Sequence, residues 1–293
     1  MRTVRLDRWL TLRLAHPLQR ADLARTMGRP LPILMYHSIS DDLEDGILAY
    51  YRLATSPRCF AQQMDWLAEL GYVGVALEGL LAHPQENTQG RRPVAITFDD
   101  GLSDFYTTAW PTLQKRGYGA TMYLPTAFVS SHRKRWRGKA CLTWNEVREM
   151  RAHGIQFGSH TLTHPVLYGL PLREIGRELT ASKQSLEQEL GEEITSFAYP
   201  YAFPQEDRRF AAAIRALLSE RRYRTCVTTM VGRSKINDDL FSLRRLPINS
   251  CDDKQLLRAK LEGAYDWVGS AQHAFRWLKG WMNQGRRRRN VDW

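Results

Sequence analysis

The stretch Val94–Gly101, with the sequence Val-Ala-Ile-Thr-Phe-Asp-Asp-Gly, determines the fold class because an apolar run leads directly into two carboxylates. The five residues before the carboxylates predict a buried strand. Neighbouring side chains of a strand point in opposite directions, so Asp99 and Asp100 can share one pocket only if the strand stops there. Gly101 supplies that stop, since glycine tolerates backbone angles that other residues avoid.

A second apolar run, Ile155–Ser159, leads in the same way into His160-Thr161-Leu162-Thr163-His164. Histidines four positions apart, on one helical turn or in a tight loop, can direct both imidazoles at one point. Two imidazoles and a carboxylate make an open three-ligand metal site with a position left for water or substrate. Each motif alone is a weak signal, since an isolated Asp-Asp-Gly is usually a turn. Together, each at the end of a strand, they predict a metal-dependent hydrolase.

Strand and helix patterns alternate along most of the chain. Eight runs predict strands, namely Ile33–His37, Tyr72–Ala76, Val94–Phe98, Ala120–Leu124, Ile155–Ser159, Phe197–Tyr199, Thr225–Thr228 and Leu243–Ile248. Four longer patterns predict helices, namely Cys59–Leu70, Thr143–His153 with its Thr-x-x-Glu capping box, Ile175–Leu190 and Gln205–Arg222. This alternation predicts an α/β fold with a parallel sheet, and seven or eight such units indicate a barrel. Barrel active sites lie at the carboxyl ends of the strands, where both motifs are placed.

The two motifs, Thr97–Gly101 and His160–His164, resemble those of the polysaccharide deacetylase family, which is the NodB-homology or carbohydrate esterase family 4. The resemblance covers roughly residues 32–249. Pro32–Ile39 and Phe197–Tyr201 are similar to the biofilm poly-N-acetylglucosamine deacetylase branch of that family. The resemblance implies a single distorted (β/α)7 barrel, here residues 31–262. It also implies metal-dependent removal of N-acetyl groups from N-acetylhexosamine units of a polysaccharide or glycan precursor, with release of acetate.

The resemblance further implies a metal site and its ligands. The expected ligands are Asp100, His160 and His164. Zinc suits two imidazoles and one carboxylate, but Ni²⁺, Co²⁺ and Fe²⁺ bind similar ligands, so the sequence leaves the choice of divalent metal open.

Asp99 is expected to act as the base that takes the proton of the attacking water. The structural alternative is a cap for the helix that begins near Ser103, but Asp104 is better placed for that cap. His37 is expected to act as the acid that protonates the leaving nitrogen, because an imidazole can donate a proton near neutral pH. The alternative for His37 is a hydrogen-bonded histidine at the barrel rim.

The third motif implies that the backbone N–H of Tyr201 helps to hold the tetrahedral oxyanion. Many family members place an arginine near Ala198 that holds the base, and this chain has none there. We hypothesise that Arg244 or Arg245 provides the missing guanidinium from another strand. Two tryptophans are candidates to wall a sugar site, with packing of a helix start or a position on a mobile loop as the alternatives. They are Trp136 and Trp144.

The composition and the N-terminal sequence indicate the cellular compartment in which the protein is expected to act. The chain has 293 residues, a net charge of +11 and four widely separated cysteines, which suits a reducing compartment. Arginines interrupt the first twenty residues, so no signal peptide is expected, and no later segment is long enough to span a membrane. We therefore expect a cytoplasmic protein that acts on a glycan or a lipid-linked sugar.

Two basic extensions flank the barrel, a segment over residues 1–30 and an amphipathic helix with a tail over residues 263–293. They predict peripheral contact with an anionic membrane surface, on the inner face, or else packing on the barrel with a solvated tail. No nucleic-acid-binding fold is recognisable, and the oligomeric state stays open. Two alternative functions also stay open. One is the same chemistry on a non-sugar amide, and the other is a catalytically silent glycan- or membrane-binding module.

Overall fold

The computed structural model describes most of the chain. The described residues are 5–17, 30–42, 44, 47–48, 51–85 and 90–272. The prediction for the C-terminal helix and tail falls mainly on residues 273–293, which lie outside this part, as do residues 1–4 and 18–29 of the N-terminal extension. Residues 266–272, at the start of the C-terminal extension, are helical.

Eight parallel strands form the central sheet. They are β1 (Ile33–Tyr36), β2 (Tyr72–Val75), β3 (Arg92–Phe98), β4 (Thr121–Leu124), β5 (Gln156–Ser159), β6 (Ser196–Ala198), β7 (Thr225–Val231) and β8 (Leu243–Pro247). Seven of them close in the order β1-β8-β7-β6-β5-β4-β3, and β3 pairs again with β1. The remaining strand, β2, pairs with the first half of β3. The predicted α/β fold, a distorted (β/α)7 barrel, is therefore confirmed, and each predicted strand is present.

Helices surround the barrel. They are α1 (Leu6–Leu10), α2 (Pro57–Glu69), α3 (Leu77–Ala82), α4 (Trp110–Gln114), α5 (Trp144–Ala152), α6 (Leu172–Leu190), α7 (Arg208–Glu220) and α8 (Lys254–Glu262). One π-helical turn, Thr11–Ala15, continues α1, and another, Phe105–Ala109, precedes α4. The predicted capping box is formed, because Thr143 and Glu146 bond reciprocally at the start of α5.

Alternation along the strands separates an inner from an outer core. A second apolar cluster takes one residue from each of six closing strands and fills the barrel interior. These residues are Ile33, Ala95, Tyr123, Ala198, Val227 and Leu243. The residues one position further on, such as Leu34 and Ile96, belong to the larger cluster that packs against the helices. The period of two therefore places His37, Asp99 and Arg245 on the inward face, at the carboxyl ends of β1, β3 and β8.

The N-terminal helix α1 runs alongside α8. Arg8 pairs with Asp253 at 2.6 Å, and His16 pairs with Glu262 at 2.7 Å, so the two helices run in the same direction. Trp9 remains 52 % exposed on the opposite side. In the part of the chain that the structure describes, no helix is both long and apolar enough to cross a membrane.

Candidate active site

Three side chains at the carboxyl ends of β3 and β5 bring their donor atoms together. The Nε2 atoms of His160 and His164 lie 3.1 Å apart, and Asp100 Oδ1 lies 3.7 Å and 3.4 Å from them. A tetrahedral ion with ligands at about 2.0–2.1 Å requires donors about 3.4 Å apart. Asp100, His160 and His164 therefore have the spacing of a divalent metal site, and they form such a group in the described residues.

The two histidines sit in a tight loop and not on a helix, and neighbouring groups hold them in place. His160 Nδ1 lies 2.8 Å from the Ala198 carbonyl, so this nitrogen donates a proton and leaves Nε2 free to ligate. The Glu178 carboxylate of α6 accepts hydrogen bonds from the backbone N–H groups of Leu162 and Thr163, at 2.9 and 2.8 Å. Glu178 thus fixes the loop between the two histidines, and no pattern in the sequence had indicated it.

Backbone strain is concentrated at this end of the barrel. Seven described non-glycine residues have a positive φ, and five of them line or border the site. These five are Asp100, Arg137, Thr161, His164 and Tyr201. Such conformations are disfavoured for L-residues and persist where the surrounding structure enforces them, often at functional sites. The turn after β3 begins at Asp100 itself, with φ 76°, and continues through Gly101.

Asp99 forms a bidentate ion pair with an arginine. Both of its oxygens accept from Arg245, at 2.7 Å each, and both side chains are fully buried. Arg245 is held in turn by the Thr228 carbonyl at 2.9 Å and by Thr97 Oγ1 at 3.2 Å. Arg244 instead places its backbone against Ser234, away from Asp99. The guanidinium that the third motif lacks is therefore present, and it comes from β8.

His37 completes the group of ionisable side chains. Its Nε2 atom lies 3.9 Å from Asp99 Oδ2. The next residue, Ser38, donates a hydrogen bond to Asp104 at 2.5 Å and lies 3.1 Å from Lys139 Nζ. The expectation that Asp104 caps the following helix is wrong, because its side chain makes no capping bond and serves this tertiary contact instead.

Burial and charge set the protonation states. Burial would raise the pKa of Asp99, but the charge of Arg245 lowers it far below its usual range. Burial, together with the charge of Asp99, raises the pKa of Asp100 to about 7. Burial lowers the pKa of His37 to about 4 and also lowers the pKa of His160. Near pH 7 Asp99 is therefore ionised, and the imidazoles of His37 and His160 are neutral. For the candidate ligand His160, the neutral form is the one that ligates a metal.

Comparison with known proteins identifies the family. A protein of Bacillus subtilis, YxkH, whose name describes it as a polysaccharide deacetylase, is 30% identical over 220 residues, which cover 75% of this chain and 71% of that protein. The family model described as polysaccharide deacetylase matches residues 86–217. The chain belongs to the polysaccharide deacetylase family.

Two further proteins are similar to this chain, one in structure and one in sequence. The structure of Streptococcus pyogenes deacetylase PplD in complex with acetate has a TM-score of 0.68 and 27% sequence identity, covering 80% of this chain and 99% of that one. The Escherichia coli poly-β-1,6-N-acetyl-D-glucosamine N-deacetylase is 26% identical over 138 residues, which are 44% of this chain but only 20% of that protein.

Two aromatic rings border the group formed by Asp100, His160 and His164, which is the candidate metal group. The rings of Trp136 and Tyr201 lie 4.8 Å and 4.7 Å from the ring of His164, each edge-on. Trp136 also stacks on Phe128 at 5.1 Å. Trp144 instead is buried at the start of α5, which is the structural alternative for that residue. The Tyr201 carbonyl accepts from Thr229 at 2.8 Å, which fixes this peptide beside the site.

Proposed function

We propose that this polysaccharide deacetylase is a metal-dependent hydrolase that removes N-acetyl groups from N-acetylhexosamine units of a glycan or glycan precursor and releases acetate. The observation that carries the proposal is the meeting of a three-donor metal group with a buried Asp99–Arg245 pair and His37 at one end of the barrel. The names of the relatives support it, since one is named as a poly-N-acetylglucosamine deacetylase and another as a deacetylase in complex with acetate.

Asp100, His160 and His164 would hold the metal, and zinc suits this donor set, although Ni²⁺, Co²⁺ or Fe²⁺ also fit it. A bound divalent ion polarises an acyl oxygen and makes a nearby water more acidic. Asp99, kept ionised by Arg245, takes a proton from that water as it attacks the amide carbon. The N–H of Tyr201 stabilises the negative oxygen that develops on the former carbonyl.

His37 protonates the leaving nitrogen. Because its pKa is lowered to about 4, the resting side chain is neutral and must gain a proton before it can donate one. Asp99 Oδ2, at 3.9 Å, is near enough to pass on the proton that it has just received, after a small approach or through one water. The pair of Asp99 and His37 thereby moves one proton from the water to the amine, and Trp136 offers an indole for a pyranose.

The test is acetate release from N-acetylglucosamine oligomers by the zinc-loaded protein. We expect release that disappears on treatment with a chelator, returns with added zinc and is lost in Asp99→Asn. Release that persists in Asp99→Asn would overturn the assignment of the base. Failure of the wild-type protein, with metal bound, to release acetate from any acetylated sugar would favour a non-sugar amide, which a panel of small amides would then identify.

The silent glycan- or membrane-binding module is the less favoured alternative. Its main argument was the missing arginine of the third motif, and Arg245 now occupies that place on Asp99. A module that only binds has no need of a buried, strained and fully paired group of this kind.

A further inference from the structure

A strongly basic hairpin borders the candidate site. Residues 132–139 read His-Arg-Lys-Arg-Trp-Arg-Gly-Lys and include five arginines or lysines. The hairpin joins Arg135–Trp136 to Lys139–Ala140 in antiparallel pairing, and it presents Trp136 to the ring of His164. This segment, called the basic hairpin below, therefore brings a high density of positive charge to the mouth of the site.

Only part of this charge is neutralised within the chain. Arg133 pairs with Glu146 at 2.6 Å, and Lys139 pairs with Asp42 at 2.7 Å. The remaining three cations make no ion pair with any carboxylate of the described residues, and all three are exposed. They are Lys134, Arg135 and Arg137. Three unpaired positive charges beside a site for a neutral acetamido sugar call for a negatively charged partner.

Arg137 is the member of this group nearest the chemistry. Its guanidinium lies 4.6 Å from the Trp136 ring and 5.5 Å from the Tyr201 ring, and it donates a hydrogen bond to the Tyr201 hydroxyl. Both rings contact His164. One layer of aromatic side chains therefore separates the Arg137 charge from the candidate metal ligands, and the hydrogen bond to Tyr201 holds the guanidinium over these rings.

The backbone conformation at Arg137 indicates that this arginine has a role other than forming the turn. Arg137 and Gly138 form the two-residue loop of the hairpin, with φ of 51° and 80°. Such loops favour asparagine, aspartate or glycine at the first position, because a positive φ is unfavourable for long side chains. Arg137 is therefore a residue that this loop disfavours, and it lies where its guanidinium reaches the mouth of the site.

We propose that Arg137, with Arg135 beside it, forms an anion subsite and that the substrate is an N-acetylated amino sugar carrying a phosphate or diphosphate next to the reacting unit. Phosphate and carboxylate both accept paired N–H donors from a guanidinium, but a phosphate suits this subsite better because it carries up to two charges. The same chemistry occurs in nucleotide-linked and lipid-linked sugars. The inference rests on the proposed deacetylation and names its substrate class.

The first experiment compares N-acetylglucosamine 1-phosphate with methyl N-acetylglucosaminide as substrates of the zinc-loaded protein at low salt. We expect kcat/KM about tenfold higher for the phosphate and a ratio that declines as salt is added. In Arg137→Asn the ratio should fall to near one, and the turn should fold at least as well, because asparagine before glycine suits this loop. Arg137→Lys, which keeps the charge but not the planar fork, should give an intermediate ratio.

Arg224→Ala is the matched control. This exposed arginine precedes β7, at the opposite end of the barrel, so its loss changes the net charge equally but should leave the ratio unaltered. A wild-type ratio near one, or a ratio that Arg137→Asn leaves unchanged, would overturn the subsite while leaving the deacetylase activity itself in place. The absence of acetate from both substrates would instead count against the proposed function.

Binding gives a readout that does not depend on turnover. Calorimetry on zinc-loaded Asp99→Asn should show about tenfold tighter binding of the phosphate than of the methyl glycoside, and the added change Arg137→Asn should remove the difference. Equal binding of the two sugars would refute the subsite. The nucleotide-linked and lipid-linked sugars are then compared with two substrates. These are UDP-N-acetylglucosamine and undecaprenyl-diphosphate N-acetylglucosamine in phosphatidylcholine vesicles. The one that resembles the natural substrate should be turned over faster than N-acetylglucosamine 1-phosphate.

Discussion

Two ion pairs in this molecule are equally buried and yet belong to different regions. Arg245–Asp99 lies at the mouth of the barrel, and Lys260–Asp252 lies where α8 packs against the end of β8. In each pair both side chains are at most 2 % exposed, and no other pair of a lysine or arginine with a carboxylate in the described residues is buried to this extent. Burial and charge alone therefore do not separate a catalytic carboxylate from a structural one.

The surroundings of the two carboxylates separate them. The Asp252 oxygens accept from Lys260 at 2.8 Å and from the backbone N–H of Asn249 at 2.9 Å, and Lys260 also bonds the Pro247 carbonyl. A second cation, Arg5, lies 3.7 Å from the same carboxylate, and among the described residues no histidine contacts it. Asp99, in contrast, has His37 within 3.9 Å and the metal group beside it. Under the proposed mechanism, Asp99 differs from Asp252 in having a neighbour, His37, that can take its proton.

The same isosteric change in both carboxylates gives the largest contrast. Asp99→Asn should lower kcat about 10²- to 10⁴-fold, since an amide cannot take the proton of the water. Asp252→Asn should leave kcat nearly unchanged but lower the free energy of unfolding by about 3 kcal/mol, because Lys260 then stays buried without a counter-charge. Acetate release and denaturant unfolding of both variants measure this, and an equal loss of kcat in the two would break the comparison.

Replacing the cation of each pair with methionine should have a smaller effect on catalysis. These variants test whether the Arg245–Asp99 pair sets the protonation state of Asp99. In Arg245→Met the charge that lowers the pKa of Asp99 is gone, and burial then raises that pKa. The variant base becomes protonated as the pH falls through this higher pKa. The acid limb of the kcat/KM profile should therefore move to higher pH, with about a tenfold loss per unit below it.

Lys260→Met should leave that pH profile in place, because Asp252 does not touch the reacting groups. Both methionine variants should lose about 3 kcal/mol of stability, so unfolding alone cannot distinguish the two pairs and the pH profile decides. A profile for Arg245→Met that coincides with that of the wild type would mean that Arg245 only supports the fold.

The sequence was sufficient to predict the strands and the grouping of Asp99, Asp100, His160 and His164 at one end of the barrel. Apolar runs end at Asp99 and His160, and the carboxyl ends of parallel strands meet at one face, so four residues of the site were brought together without any tertiary information. Their chemical roles stay predictions. The strand that supplies the guanidinium was also identified, but not the residue. Alternation requires that Arg244 and Arg245 face opposite sides, and only the closure of the barrel shows which side is inside.

Contacts between distant segments could not be predicted from local patterns. Asp104 has the spacing of a helix cap, but Ser38, which is 66 positions away in the chain, takes its carboxylate instead. Glu178 lies beside the apolar stripe of α6, where a charged residue normally faces solvent. Its function depends on the loop between His160 and His164, whose path was left open between a helical turn and a tight loop.

Glu178 extends the comparison to a carboxylate that pairs with no lysine or arginine among the residues that the structure describes and instead binds the loop of the candidate site. It accepts from two N–H groups and from the Thr163 hydroxyl at 2.7 Å, so it shapes the loop between His160 and His164. Glu178→Ala should lower the affinity for zinc about tenfold, which is the usual effect of losing a group that orients the ligands. Competition with a chromophoric chelator measures this affinity in the wild type and in the variant.

Glu174→Ala is the control for this smallest effect, because Glu174 lies one turn earlier on α6 and is exposed. Its loss should leave zinc affinity unchanged while altering the helix surface to a similar extent. If both variants bind zinc as the wild type does, the loop holds its shape without the carboxylate, and its other hydrogen bonds, such as that from the His164 N–H to Thr161 Oγ1, are sufficient to hold the strained backbone at Thr161 and His164. If zinc affinity falls in Glu178→Ala alone, then the geometry of the predicted metal site depends on α6, which lies outside both motifs from which the site was predicted.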